Sequence, residues 1–253
     1  LGAPVGVTSR RAQRLWYLRM DASDSTPRQL IDPFGRRINY LRVSVTDRCN
    51  YRCFYCMPPE GVEWRQQRDL LTHEEMARLI RLFAELGVEN VRLTGGEPLI
   101  RRNLMALVRM IGEIPGIQDI SMSTNAHLLE RFAKQMKTAG ISRVNISLDS
   151  LEPGVFKEIT RGGDLRCVIR GIDTALAVGL APVKLNMVVM KGLNDDEIES
   201  MVDFAVERGA DLRFIETMPV GAAGGDGVDY YYPADRILER IRRRYGSELV
   251  SVN

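Results

Sequence analysis

Three of the four cysteines in this 253-residue chain fall within eight positions, in the run Cys49-Asn-Tyr-Arg-Cys53-Phe-Tyr-Cys56. Spacings of four and then three let one loop aim three thiolates at a common centre, and thiolates hold zinc or iron–sulfur clusters. A structural zinc wants a fourth ligand, and a ferredoxin-type run carries four cysteines. Cys167 lies far along the chain on the apolar face of a helical stretch, where a small thiol needs no role beyond packing. The two histidines, His73 and His127, stand at expected helix starts. Three thiolates with an open fourth position therefore suggest a catalytic iron–sulfur cluster. Zinc with a distant fourth ligand, or unligated core thiols, are the alternatives.

The elements that must position this loop repeat from Leu41 onward. Strands are expected at Leu41–Asp47, Asn90–Thr94, Asp119–Thr124, Arg143–Asp149, Val183–Met190 and Leu212–Thr217. Between them, apolar residues recur at helical spacing over His73–Leu86, Leu104–Ile114, Leu128–Ala139, Cys167–Val178 and Asp195–Glu207, with a last helix over Ala234–Tyr245. Gly87, Gly140, Gly179 and Gly209 sit where helix C-caps belong. Repeated strand–helix units imply a parallel sheet, either doubly wound or curled into a barrel.

A strand buried on both faces should be almost wholly aliphatic. Here Val43 and Val45 alternate with Arg42, Ser44 and Thr46; Val91 and Leu93 alternate with Arg92 and Thr94. Asn145, Ser147, Lys184 and Asn186 continue the pattern on later strands. Burying an unpartnered polar group costs several kcal/mol, roughly 2–7, so this face must meet water or a polar ligand. The fold expected is therefore α/β, an incomplete (β/α)6-type parallel TIM-like barrel. Its polar lumen suits a large, hydrogen-bonding, anionic ligand. A doubly wound sheet whose polar positions satisfy one another is the alternative.

Composition excludes several classes. The formal charge is 35 − 33 = +2 and 45% of residues are hydrophobic, as in ordinary globular proteins. No apolar run is long enough for a membrane span, and the charge gives no case for nucleic acid or anionic lipid. Residues 1–31 read as a leader: Arg10, Arg11, Arg14 and Arg19 lie among small residues, followed by turn chemistry over Asp21–Pro27. No secretory signal is present, and Asp21 and Asp24 argue against an organelle transit peptide, so a cytoplasmic location is expected over an organelle matrix.

The cysteine run resembles the CxxxCxxC signature of radical S-adenosylmethionine enzymes, with Tyr55 as the aromatic before the last cysteine. Gly95-Gly96-Glu97-Pro98 resembles the GGEP motif of the same superfamily, which holds the methionine amino group. Asp32–Arg36, Tyr40–Asn50, Arg92–Pro98, Ser123–Asn125, Asn145–Ser150, Val183–Asn186, Lys191–Asn194 and Arg213–Pro219 further resemble, in order, the GTP 3′,8-cyclase family. That resemblance implies a [4Fe–4S] cluster on Cys49, Cys53 and Cys56, and S-adenosylmethionine against Tyr55, Gly96, Ser147 and Met218. It implies GTP against Arg42, Arg92, Ser123 and Lys184, with internal salt bridges to Asp149, Glu97 or Glu216 as the structural alternative for the cations.

The implied reaction is a lyase step of molybdenum cofactor biosynthesis. A 5′-deoxyadenosyl radical abstracts hydrogen from the ribose C3′ of GTP, and the new radical attacks guanine C8. An electron donor would feed the cluster, a cyclic pyranopterin monophosphate synthase would act downstream, and a homodimer is allowed. Two departures stand out. Ala126 follows Ser123-Thr-Asn125 where the family has glycine. The family's second cysteine cluster, expected to bind the guanine base, finds no counterpart after Cys167. The expectation is a leader over 1–31, a radical barrel over 32–220 and a truncated C-terminal region over 221–253, which does not cyclise GTP as it stands. The remaining alternatives are a radical enzyme that uses a single cluster and a non-catalytic metal-binding module.

Overall fold

In the computed structural model, which describes residues 29–218 and 230–246, the expected alternation becomes six parallel strands with intervening helices. In chain order these are β1 (Tyr40–Ser44), α1 (His73–Glu85), β2 (Asn90–Thr94), α2 (Leu104–Gly112), β3 (Asp119–Thr124), α3 (Leu129–Ala139) and β4 (Arg143–Ser147). Then come α4 (Pro153–Thr160), α5 (Leu165–Ala177), β5 (Val183–Val189), α6 (Ile198–Arg208), β6 (Asp211–Glu216) and α7 (Ala234–Tyr245). Most of the leader (1–28), the glycine-rich stretch 221–227 and the end of the chain (247–253) lie outside the described residues.

The strands pair in the order β1-β2-β3-β4-β5-β6, each parallel to the next. Crossovers between parallel strands are right-handed, so steps that all run the same way place their helices on one face. A doubly wound sheet needs a reversal of strand order, and there is none. Among the described residues β1 and β6 each pair with one neighbour, which leaves the barrel incomplete.

Burial follows the sequence alternation. Val91, Leu93, Met122, Val144, Ile146, Leu185 and Met187 point to the helical side and are fully buried. The helices begin and end for local reasons. At α1, Thr72 Oγ1 accepts from Glu75 N (3.2 Å) while Glu75 Oε2 accepts from Thr72 N (2.8 Å), a reciprocal cap. Gly140 and Gly209 close α3 and α6 in the left-handed conformation, as expected.

Helix α4 was not foreseen, because Leu151-Glu-Pro-Gly154 reads as a turn; the helix starts with Pro153 in its first position, where no N–H is missed. β1 also ends three residues early, at Ser44, as its chain leaves to meet the loop after β2. Helix α7 seats Ile237 in the core and pairs with α6 through Arg244–Asp203 (2.7 Å) and Arg240–Glu199. No helix among the described residues is long and apolar enough to cross a membrane.

Candidate functional site

The cysteine run leaves the carboxyl end of β1 and is fixed by backbone hydrogen bonds. Arg52 N donates to Thr160 O and Phe54 N to Ile159 O, both at 3.1 Å, which binds the loop to the last turn of α4. Cys56 N (2.9 Å) and Met57 N (3.1 Å) both donate to Cys53 O, folding the second half into a tight turn. Cys49 Sγ accepts from Tyr51 N at 3.4 Å. Cys49 and Cys53 are half-buried and Cys56 is exposed. Burial raises all three thiols, Cys53 to about 12, a shift that a bound metal's charge would oppose.

The donor set fits an iron–sulfur cluster better than zinc. Among the described residues, no three His, Cys, Asp or Glu side chains converge as a single-ion site would require. Three thiolates carried on one loop, Cys49, Cys53 and Cys56, are the donor chemistry that would hold an iron–sulfur cluster. Each histidine has one ring nitrogen engaged: His127 Nδ1 meets Tyr51 Oη at 3.1 Å and His73 Nε2 accepts from Arg101 Nε at 3.1 Å. Cys167 lies on α5, beside Arg170.

The Gly95–Pro98 turn lies against this loop. Gly96 N donates to Thr46 O and Glu97 N to Arg48 O, both at 2.8 Å. A Cβ on Gly96 would stand 2.0 Å from Arg48 O, and one on Gly95 2.4 Å from Thr46 O. Both glycines are thus needed for the close approach of the chain's own backbone. Glu97 is buried and accepts from Leu99 N (3.0 Å), Thr124 Oγ1 (2.8 Å) and Asn125 N (2.7 Å). Burial raises its pKa, and those donors oppose the shift.

Asn125 in turn donates to Asn50 Oδ1 (2.8 Å) and Cys49 Sγ (3.9 Å), so three loops form one network. Beside it, Ala126 holds a left-handed φ of +59°, the strained turn that the missing glycine implied. Tyr55 Oη donates to the buried Asp149 at 2.8 Å, tying the cysteine loop to the end of β4. Ser147 lies on β4 and Met218 just past β6, both exposed toward solvent.

Below the loops, register aligns the polar side chains in rows. Arg42 on β1 faces Arg92 on β2, which faces Ser121 on β3, which faces Arg143 on β4. A second row runs Ser123, Asn145, Lys184, Asp211, and a third Ser147, Asn186, Arg213. Two cations find acids, though none of the three weighed from sequence: Lys184 pairs with Asp211 (2.9 Å) and Arg143 with Asp119. Asp149, Glu97 and Glu216 are engaged by Tyr55, by Thr124 with Asn125, and by Ala234 N.

Among the described residues Arg42, Arg92 and Arg213 make no ion pair. Arg92 lies over the Tyr40 ring, 5.2 Å from its centroid, and donates to Ser121 Oγ at 3.3 Å. Its pKa is pulled down first by burial, with the charges of Arg143, Arg42 and Arg213 adding to the effect against Tyr40. Sequence reasoning assigned no role to Arg213, although its alternation with Leu212 and Phe214 marked it as an inner-face cation.

The chain is similar to several known proteins. Residues 43–205 match the radical SAM superfamily. It is 53% identical to the GTP 3′,8-cyclase of Hydrogenovibrio crunogenus, over 87% of this chain and 67% of that relative. It is 47% identical to the same-named protein of Petrotoga mobilis, over 88% and 69%. The chain thus spans about two thirds of the length of these relatives. In fold it resembles Streptococcus suis SuiB bound to S-adenosylmethionine (TM-score 0.69, 20% identity, 85% of this chain and 49% of that one). It also resembles methylornithine synthase PylB (TM-score 0.63, 16% identity, 87% and 63%). With its triple-cysteine loop, its glycine turn and an incomplete parallel barrel around a cationic lumen, the chain belongs to the GTP 3′,8-cyclase family of the radical SAM superfamily.

Proposed function

We propose that the inner face of this barrel binds GTP by its triphosphate and that the cysteine loop above it initiates the cyclisation of GTP through C3′ and C8. The observation that carries this reading is the set Arg42, Arg92 and Arg213, three guanidiniums on one face that make no ion pair among the described residues. Arg92 is partly buried and Arg42 and Arg213 are open to solvent, and a triphosphate meets such cations with charge-assisted bonds about twice as strong as neutral ones. Ser123 and Lys184, in the adjoining row, complete the nucleotide contacts.

As a member of the superfamily the chain works with a [4Fe–4S] cluster and S-adenosylmethionine. Cys49, Cys53 and Cys56 would hold the cluster, and Tyr55, Gly96, Ser147 and Met218 would contact S-adenosylmethionine. When bound, the pair supplies the 5′-deoxyadenosyl radical that starts the reaction. The chain's own residues position and shield. The backbone bonds to α4 and the Glu97 network hold the loop, the lumen orients the nucleotide, and the packed helices keep water from the outer side.

An electron donor and a downstream synthase are the partners this role requires. A homodimer is compatible with this role. Four unpaired cysteines suit the reducing cytoplasm. The test is anaerobic reconstitution with iron and sulfide, reduction, and assay of 5′-deoxyadenosine with and without GTP. Formation of 5′-deoxyadenosine that responds to GTP is expected. None under any condition overturns the enzyme reading, and formation indifferent to GTP overturns the substrate.

A further inference from the structure

The inner face holds a buried polar side chain whose chemistry the reading above leaves unused. Asn145 sits in the middle of β4, paired with Ser123 on one side and Lys184 on the other, and is 3% exposed. Its Oδ1 has no hydrogen-bond partner among the described residues. Leaving a buried amide oxygen unpaired costs about 1–3 kcal/mol, and the neighbouring polar residues do not relieve it. On the same face the buried Tyr40 hydroxyl is also without a partner, below the Arg92 guanidinium. A lumen that kept unpaired amide and hydroxyl groups for stability alone would be poorly built.

We infer that Asn145 is a substrate-binding and specificity-determining residue that recognises a ribose hydroxyl of the nucleotide. This rests on the GTP reading. The amide's free end is an acceptor, and a half-turn about its last bond exchanges acceptor and donor, so its match is a group that both donates and accepts. Phosphate oxygens only accept and cannot satisfy Oδ1. The donors nearest the phosphates in a nucleoside triphosphate are those of the sugar. Asn145 lies one inner-face row beyond Arg42 and Arg92, where a phosphate would be drawn. A hydroxyl one step along the ligand therefore falls to the amide.

The test compares binding of GTP, 2′-deoxy-GTP and 3′-deoxy-GTP to the wild-type protein and to Asn145→Leu, by calorimetry, with thermal melts to confirm folding. Wild type should bind GTP about tenfold more tightly than at least one deoxy analogue, and Asn145→Leu should bind all three alike. Asn145→Ala is the second variant if the leucine disturbs packing. If wild type binds the three equally, or if a folded variant keeps the wild-type preference, the inference is overturned while the GTP reading stands. If wild type binds no GTP, the GTP reading itself falls and this inference with it.

Discussion

Outward-facing Val91, Leu93, Met122, Val144, Ile146 and Leu185 are fully buried against helices. On the opposite face of the same sheet, Arg42, Arg92 and Arg213 make no ion pair among the described residues. The backbone is common to both faces, so the difference lies in what each is for. The outer face gains by leaving water, about 25 cal/mol for each Å² of apolar surface, and it carries the stability of the fold. On the inner face burial lowers the pKa of Arg92, and the charges of Arg143, Arg42 and Arg213 add to that shift. Nothing in the fold rewards that arrangement; an anion would.

Substitutions can break this contrast where the two faces meet. The largest effect is expected at Gly96, where a methyl group would press into Arg48 O at 2.0 Å. Both partners are backbone, so neither can swing aside. Gly96→Ala should cost more than about 4 kcal/mol in urea unfolding, or fail to fold. A small loss would mean that the two loops are not joined as described.

Asp149 comes next. Burial, opposed by the donors Val188 N and Tyr55 Oη, raises its pKa to about 6. A carboxyl with a folded pKa above its unfolded value contributes most below pH 4 and loses that contribution as pH rises through 6. Wild-type stability should therefore fall over that window by up to about 3 kcal/mol, and Asp149→Asn should lack the fall. A variant that kept the wild-type slope would place the titration elsewhere. The smallest effect is at Ala126, whose left-handed φ costs about 1 kcal/mol that glycine would not incur. Ala126→Gly should leave the melting temperature level or slightly higher, and a clear drop would show that the methyl's packing outweighs the strain.

The six strands, the polar inner face and the preference for a barrel over a doubly wound sheet were readable from alternation, because a period of two assigns every side chain to a face. The cysteine loop and the glycine turn were readable from residue type and spacing. What could not be read was which inner-face cations find acids. Lys184 meets Asp211 and Arg143 meets Asp119 only through the register of neighbouring strands. The bond from Tyr55 to Asp149 joins residues distant in sequence, and it depends on a loop conformation set by α4, a helix hidden behind a turn-like Pro-Gly. The reason for Gly95 and Gly96 was likewise out of reach, since close approach by a ligand and close approach by the chain itself demand the same residue.

The most direct test of the contrast pairs one residue from each face. Ile146→Ala, on the outer face, should cost about 2–5 kcal/mol of unfolding free energy through its cavity. Arg92→Leu, on the inner face, should be measured for both unfolding free energy and GTP affinity in the same buffer. The account predicts stability within about 1 kcal/mol of wild type, since only a bond to Ser121 and a Tyr40 contact are lost while repulsion is relieved. It predicts at least a tenfold loss of GTP affinity, about 1.4 kcal/mol. An Arg92→Leu variant that unfolds as easily as Ile146→Ala yet binds GTP like wild type would contradict it.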